Sequence, residues 1–307
     1  MRAARLKEHG KPLEIEPVDL PSPGEDEVLV ELRFGGVNPV DRYGAEGRVA
    51  PDGPLPRTLG GEASGVLDGQ PVVVNGEGLG TARDGVWAEA AVVPWDAVTE
   101  VPDGVELREA AAMGVVGVTA WNVVHHMGQV RSEDRVLVLG ASGGVGSAIV
   151  SLVKAAGAEV WGQTGSEEKA DIVRDQGADH VIVGGPDEIK EIEPTLVLDP
   201  LGDGFLAPVV EALATRGRIV VYGTSAGPDV QFNLHQLYRK RASLLGYGGM
   251  QLTREERRAA MEQALAAAAR GELRIRIDSV LPLEEVNDAF QRLVDRNVRG
   301  KLLLALA

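Results

Sequence analysis

The chain has 307 residues, a net charge of −15 and 44% hydrophobic residues, enough for one large or two ordinary domains with a sizeable core. An acidic surplus without any cluster of Lys and Arg excludes nucleic-acid backbones as partners and disfavours anionic membrane surfaces. No apolar run reaches membrane-spanning length, the basic start Met1–Gly10 lacks a hydrophobic signal region, and the absence of cysteine removes any disulfide, thiol nucleophile or thiolate metal site; a cytoplasmic protein is expected.

In chain order, the first hundred residues are dense in Gly, Pro and short Val/Leu runs. Glu27 to Arg33, Gln70 to Val74 and Val86 to Val93 read as short antiparallel strands between irregular turns. Glu106 to His126 turns helical, rich in Ala, Val and Met. A regular alternation follows, with strands expected at Arg135–Leu139, Glu159–Gly162, His180–Val183, Leu196–Asp199, Arg218–Gly223 and Ser243–Gly246. Between them lie helical segments: Val145–Ala156 stopped by Gly157, Glu167–Gln176 stopped by Gly177 with Ser166 as N-cap, and Phe205–Ala214. Six strands with helical crossovers make a doubly wound parallel α/β sheet of the Rossmann kind. Beyond it, Thr253-Arg-Glu-Glu256 is a capping-box match opening an Ala-rich helix closed by Gly271. A strand at Ile275–Val280, a helix at Leu283–Arg296 and a final apolar run Leu302–Ala307 complete the chain, the last expected to return as a strand to the first domain.

The most informative stretch runs from Val136 to Lys154, where a β-branched strand enters a turn with glycines at 140, 143 and 146 and an apolar helical stripe follows. One glycine serves the tight turn, one the approach of a pyrophosphate, and one close packing of helix on sheet. The backbone of Gly140, Ala141, Ser142, Gly143, Gly144, Val145 and Gly146 is thereby a candidate cradle for dinucleotide phosphates at the positive end of a helix.

The order of several blocks extends this reading: Gly36-Val-Asn38-Pro39-Val40-Asp41-Arg-Tyr43, Leu59-Gly60-Gly61-Glu62-Ala-Ser-Gly65, Gly117-Val-Thr119-Ala120-Trp121, the glycine turn, Thr164-Gly165-Ser166-Glu-Glu-Lys169, Gly177-Ala-Asp179 and Gly300-Lys-Leu-Leu. With them the chain resembles the zinc-independent quinone oxidoreductase branch of the medium-chain dehydrogenase/reductase superfamily, which includes zeta-crystallin, over nearly its whole length. The resemblance implies a mostly β, GroES-like catalytic domain (residues 1–116 and 247–307) split around a Rossmann domain (117–246), with an active cleft between them. It also implies NADPH-dependent reduction of quinones or other activated alkenes, and a homodimer paired through the last strand of the nucleotide sheet, here Ser243–Gly246.

Zinc-dependent relatives need Cys and His ligands in tetrahedral array. Where their first cysteine would fall the chain has Asn38, and where they carry Gly-His-Glu it has Gly60-Gly61-Glu62. His125 and His126 are adjacent and point about 100° apart on a helix, and His9, His180 and His235 lack ligand spacing. No metal site is expected.

On the cofactor side, an acidic residue ending the second strand would bond the ribose diol of NAD. By resemblance that position is Thr164, and with Ser166 and Lys169 it makes an anion site suited to a 2′-phosphate; an ordinary capped surface helix is the competing reading. Arg296 matches a family arginine for the same phosphate, whereas Gly184 replaces a family tyrosine. Thr119 is expected at the nicotinamide edge and Gly223-Thr224-Ser225 in the loop beneath the ring. On the substrate side, Asn38, Asp41 and Tyr43 match residues lining the nicotinamide cleft, with Asn38 and Tyr43 as hydrogen-bond donors and Asp41 orienting its neighbours; a simple Asn-Pro turn and a packing tyrosine form the alternative. Two further functions stay open. One is reduction of an enoyl thioester, with Arg42, Arg48 and Arg57 as candidate contacts for a carrier phosphate; against it, Val49 stands where related thioester reductases carry a tyrosine. The other is a non-catalytic nucleotide-binding protein.

Overall fold

Glu27–Val37, the longest strand, organises the first of two compact units in the computed structural model, which describes all 307 residues. This unit comprises Met1–Val118, Thr253–Ala269 and Ile277–Ala307. Its main sheet has the order Ile277–Pro282, Lys301–Ala305, Glu27–Val37, Glu62–Leu67, Gln70–Asn75, Val98–Glu100, with Ala90–Pro94 also paired to Glu27–Val37. A small sheet of Glu14–Pro17, Arg2–Leu6 and Arg57–Thr58 lies in the same unit. The final apolar run does return as a strand, antiparallel to Glu27–Val37 with Leu302 opposite Val37 and Leu303 opposite Gly36. On the other flank Ala63 sits opposite Gly35. This register brings Lys301, Asn38 and Glu62 to neighbouring strand ends.

Trp87, which the sequence reading gave no role, wedges those strands together. It is fully buried, its indole N–H donates to Gly36 O at 3.2 Å, and its ring lies 5.7 Å from that of Phe290. A side chain at Gly60, whose φ is +97°, would come within 2.4 Å of the indole, and one at Gly35 within 2.7 Å. Both glycines are therefore the space that the tryptophan fills.

The second unit comprises Thr119–Leu252 and Arg270–Arg276. The junctions fall at 118/119 and 252/253, and Arg270–Arg276 rejoins this unit, where the sequence reading kept 247–307 together. Its six strands are parallel, in the order His180–Val183, Glu159–Thr164, Arg135–Val138, Leu196–Asp199, Arg218–Val221, Ser243–Gly246. Val136, Leu137 and Val138 are wholly buried, as a strand covered by helices on both faces requires. The strand order reverses between Arg135–Val138 and Leu196–Asp199, and the turn leaving the first of these carries the glycines; a ligand crevice forms at such a reversal. Ser243–Gly246 is one of the two outer strands, with Leu244 39% exposed.

Several elements differ from expectation. Glu106–His126 is not one regular helix: short α-helical turns at Leu107–Ala110 and Val118–Trp121 alternate with wide π-type turns at Met113–Gly117 and Asn122–Met127. At the first of these, the Val115 N–H donates to the Glu62 carboxylate at 2.7 Å instead of the helix ladder, which widens the turn. The segment after Ser166 begins as a 3₁₀ turn, Glu167–Lys169, without a side-chain cap, and becomes α-helical only over Ala170–Asp175. A helix at Leu234–Arg239 and the 3₁₀ turn at Gly249–Gln251 were not foreseen. The capping box at Thr253 forms in both directions, Thr253 N to Glu256 Oε2 at 2.9 Å and Glu256 N to Thr253 Oγ1 at 3.2 Å. No helix is long and apolar enough to cross a membrane.

Because Trp87 has no solvent exposure and two glycines shaped to it, Trp87→Ala should lower unfolding stability by about 3–5 kcal/mol. Denaturant unfolding measures this; a loss below about 1 kcal/mol would show that the wedge is dispensable.

Candidate functional site

Two constellations carry chemistry, one in each unit. In the second unit the turn Gly140–Gly146 is built by backbone constraints that separate the three glycines. Gly140 has φ +60°, and its N–H is taken by the side chain of Gln163 at 3.1 Å. A Cβ at Gly146 would meet Gly140 O at 2.2 Å, so helix Gly144–Ala155 can pack this closely only with glycine there. Gly143 is different. It has ordinary backbone angles (φ −81°, ψ 175°) as helix N-cap, and a Cβ would touch nothing nearer than Gly140 O at 3.4 Å. The folded chain does not need glycine at 143, and the space beside it is open. The first-turn amides of Gly144 and Val145 make no hydrogen bond within the protein and point from the positive end of a twelve-residue helix. The cradle therefore fits a dinucleotide pyrophosphate.

Gln163 is the residue that sequence reasoning missed here. Its Oε1 accepts from Gly140 N while its Nε2 donates to Gly184 O at 2.6 Å, tying the glycine turn to the loop after the neighbouring strand. A glutamine inside a strand gave no signal of this strut. Thr164 is also placed differently from its expected role. It is fully buried, and its hydroxyl is shared with Ser142 Oγ at 2.9 Å, so it serves the turn and does not face a phosphate. Ser166 and Lys169 remain at the surface side of that strand end, with exposed Gly165 between Thr164 and Ser166. Thr119 is part-exposed. Gly223, Thr224 and Ser225 lie in a loop zipped to the one after Leu196–Asp199: Ser225 N donates to Pro200 O at 2.9 Å, Ala226 N to Leu201 O at 2.9 Å, and Ser225 Oγ to Pro200 O at 3.1 Å. The Ser225 hydroxyl is thus spent on the scaffold. Asp199 holds the same loop through Leu201 N at 2.7 Å and Gly202 N at 3.1 Å, and burial raises its pKa. Arg296 belongs to the first unit, exposed, with φ +54°.

In the first unit, Asn38, Asp41, Glu62 and Lys301 form one connected polar cluster. Glu62 has no exposure and Lys301 and Asn38 each 3%. Glu62 Oε1 accepts from Lys301 Nζ at 2.6 Å and from Asn38 Nδ2 at 2.8 Å, and Oε2 accepts from Val115 N. Lys301 also donates to Asn38 Oδ1. Side chains at Gly36 or Gly114 would collide with Glu62, at 2.3 and 2.7 Å, so both glycines make room for the carboxylate. Asp41 closes the cluster as the third residue of helix Pro39–Ala45, accepting from Asn38 N at 2.8 Å and Gly61 N at 3.3 Å. Burial pushes its carboxyl up to about 6; Lys301 opposes that shift and Glu62 adds to it. Asp41 thus ties the backbone of Asn38 to that of Gly61. Glu62 and Lys301 stood among the family blocks but drew no role from sequence. Tyr43 is part-exposed, with the guanidinium of Arg42 4.8 Å and that of Arg48 4.3 Å from its ring centre. Its hydroxyl bonds nothing within the protein. Arg42 and Arg48 both pair with Glu46. Arg57 is buried at 1% exposure, its guanidinium donating to the carbonyls of Pro54 and Gly80 at 3.1 Å, and so is withdrawn from any substrate.

Comparisons with known proteins place the chain in a family. The family model described as zinc-binding dehydrogenase matches residues 144–268. The mouse synaptic vesicle membrane protein VAT-1 homolog is 31% identical, over 95% of this chain and 79% of its own length. The chain belongs to the quinone oxidoreductase-like group of the medium-chain dehydrogenase/reductase superfamily. Human quinone oxidoreductase is 29% identical over 100% of this chain and 98% of its own. Among solved structures, an NAD-dependent alcohol dehydrogenase superposes with TM-score 0.92 at 30% identity over the whole of both chains. A mycobacterial member of the fold solved with NADPH gives 0.86 at 25% identity over 99% of both.

The matched family model is named for zinc, and the donor chemistry of this member does not fit that ion. Asn38 offers a neutral amide, Gly61 no side chain, and Glu62 is already neutralised by an ammonium at 2.6 Å. No group of three His, Cys, Asp or Glu side chains is placed to hold a metal.

Two outcomes follow. Gly143→Ala should keep the wild-type melting temperature but weaken dinucleotide binding at least about tenfold, whereas Gly146→Ala should lose fold stability first; calorimetric titration with thermal melts separates them, and equal melting losses would refute the distinction. The raised Asp41 pKa makes its protonated form favour the fold. That stabilisation is full below about pH 4 and disappears as pH rises through about 6. Asp41→Asn should therefore flatten the fall in stability between about pH 4 and 6 in urea titrations, and unchanged pH curves would contradict the assignment.

Proposed function

We propose that the chain is an NADPH-dependent reductase of quinones or other activated alkenes that works without a metal ion, in the cytoplasm and as a homodimer. The observation that carries the reading is that the chain holds both a phosphate cradle with free backbone amides in its second unit and, in its first, an Asn38 amide locked by buried charges. Reduced nicotinamide, when bound, supplies a hydride. The chain's residues then have to bind the acceptor and meet the negative charge that grows on its conjugated oxygen. Asn38, through its second amide hydrogen, and Tyr43, through its uncommitted hydroxyl, are the neutral donors for that oxygen. The proton that follows comes from solvent or from a residue exchanging with it. Preference for the phosphorylated cofactor is supported by the absence of an acidic side chain at Thr164 and by Ser166 and Lys169 beside exposed Gly165.

The thioester alternative loses one of its supports, because Arg57 is buried and Arg42 and Arg48 are each paired with Glu46. Pairing of two copies is supported by the outer strand Ser243–Gly246 and by the exposed apolar side chains Leu234 (66%), Tyr238 (63%) and Met250 (63%), all in the second unit.

Steady-state oxidation of NADPH and NADH against a panel of quinones, enones and a crotonyl thioester tests the proposal. Quinones and enones should turn over with NADPH favoured, and Lys169→Glu should lower kcat/KM for NADPH about tenfold or more while leaving NADH within about twofold. Inertness toward the whole panel with cofactor bound would favour the non-catalytic reading, and faster thioester turnover the second enzymatic one.

A further inference from the structure

Lys301 is the one buried lysine of the chain, and it makes no contact with solvent that would let it meet a substrate. Its setting is unusual for a structural ion pair. The ammonium donates to both Glu62 Oε1 (2.6 Å) and the Asn38 amide oxygen, and the same Glu62 oxygen accepts from the Asn38 amide nitrogen (2.8 Å). The three groups form a closed ring of hydrogen bonds. An ammonium can only donate and a carboxylate can only accept, so this ring permits one orientation of the Asn38 amide: oxygen toward Lys301, nitrogen toward Glu62. Glu62 uses one of the two amide hydrogens and leaves the other without a partner in the protein. The backbone of Asn38 is fixed as well, because its N–H is held by Asp41 at 2.8 Å.

We propose that Lys301 is a positioning residue for the reduction: through Asn38 it fixes and polarises the donor that receives negative charge on a conjugated carbonyl oxygen of the acceptor. A cation on the amide oxygen draws electron density from the nitrogen, so the remaining N–H becomes a stronger donor as charge grows on the acceptor. The charge is buried, fixed and already compensated by Glu62, so little reorganisation accompanies the reaction. Lys301 itself gives up no proton and touches no substrate. This inference rests on the reductase reading of Asn38, and deepens it by naming the acceptor's carbonyl oxygen as the group recognised.

The test is a double-mutant cycle with Lys301→Met and Asn38→Ala, assayed with NADPH and a series of quinones and enones of decreasing electron affinity. Lys301→Met should lower kcat about tenfold or more, while acceptor KM and cofactor Kd stay within about twofold. The loss should grow toward the weaker acceptors, which build more charge on oxygen. In the Asn38→Ala background the same change should have less than about a twofold further effect. Because Lys301→Met strands a buried carboxylate, the neutral pair Lys301→Met/Glu62→Gln is assayed beside it; it should regain the wild-type melting temperature but not kcat. Full kcat in a folded variant lacking Lys301, independent multiplicative losses in the cycle, or an equal loss across the acceptor series would each overturn the proposal while leaving the reductase reading standing. A wild-type chain inert toward every acceptor would overturn both.

Discussion

The carboxylate of Glu62 is the constraint around which the first unit is assembled. A charge with no exposure is tolerable only if its lone pairs are filled, and here they are filled from three directions: an ammonium from the last strand, an amide from the end of the longest strand, and a backbone N–H from a distorted helix. Each demand leaves a visible mark. Gly36 and Gly114 give up side chains to make room, the helix at Met113 widens so that Val115 can turn its N–H inward, and the chain's last strand docks in the one register that sets Lys301 beside Asn38. Removing either charge alone would leave the other stranded at a cost of about 3–5 kcal/mol.

The second unit follows a different logic. Its central strands are largely apolar and their buried polar residues sit at the strand ends, so the chemistry gathers there, where the order reverses. There the protein spends its polar side chains on shaping loops. Gln163 ties the glycine turn to Gly184, Ser142 and Thr164 share a hydrogen bond beneath it, and Asp199 with Ser225 holds the neighbouring loop closed. What remains open is backbone: the amides of Gly144 and Val145 and the space beside Gly143. A site made of backbone amides recognises phosphate by geometry, which is why the glycines announce it so plainly.

That contrast explains what was legible in the sequence. The six-stranded sheet, its order of strands and helices, the glycine turn and the capping box at Thr253 all rest on local patterns of three to fifteen residues, and they could be read directly. The ring of Asn38, Glu62 and Lys301 could not, because its members are separated by up to 263 positions and meet only through strand register. Thr164 misled for a related reason: its place at a strand end was right, but whether its hydroxyl faces ligand or protein depends on Ser142, 22 residues earlier. Trp87 and Gln163 gave no sign of their roles, since packing against two glycines and bridging two loops leave no periodic trace. The helix expected over 106–126 failed where a long-range hydrogen bond outbid the helical ladder.

That an ammonium–carboxylate–amide ring does its work without a metal ion is the central claim, and one measurement addresses it most directly: metal content by plasma mass spectrometry on the same purified sample whose NADPH-dependent quinone turnover is followed with and without a strong chelator. The account predicts well under one zinc per chain and a turnover rate that chelation leaves unchanged. One tightly held zinc per chain, with activity lost on its removal and regained on its return, would contradict it.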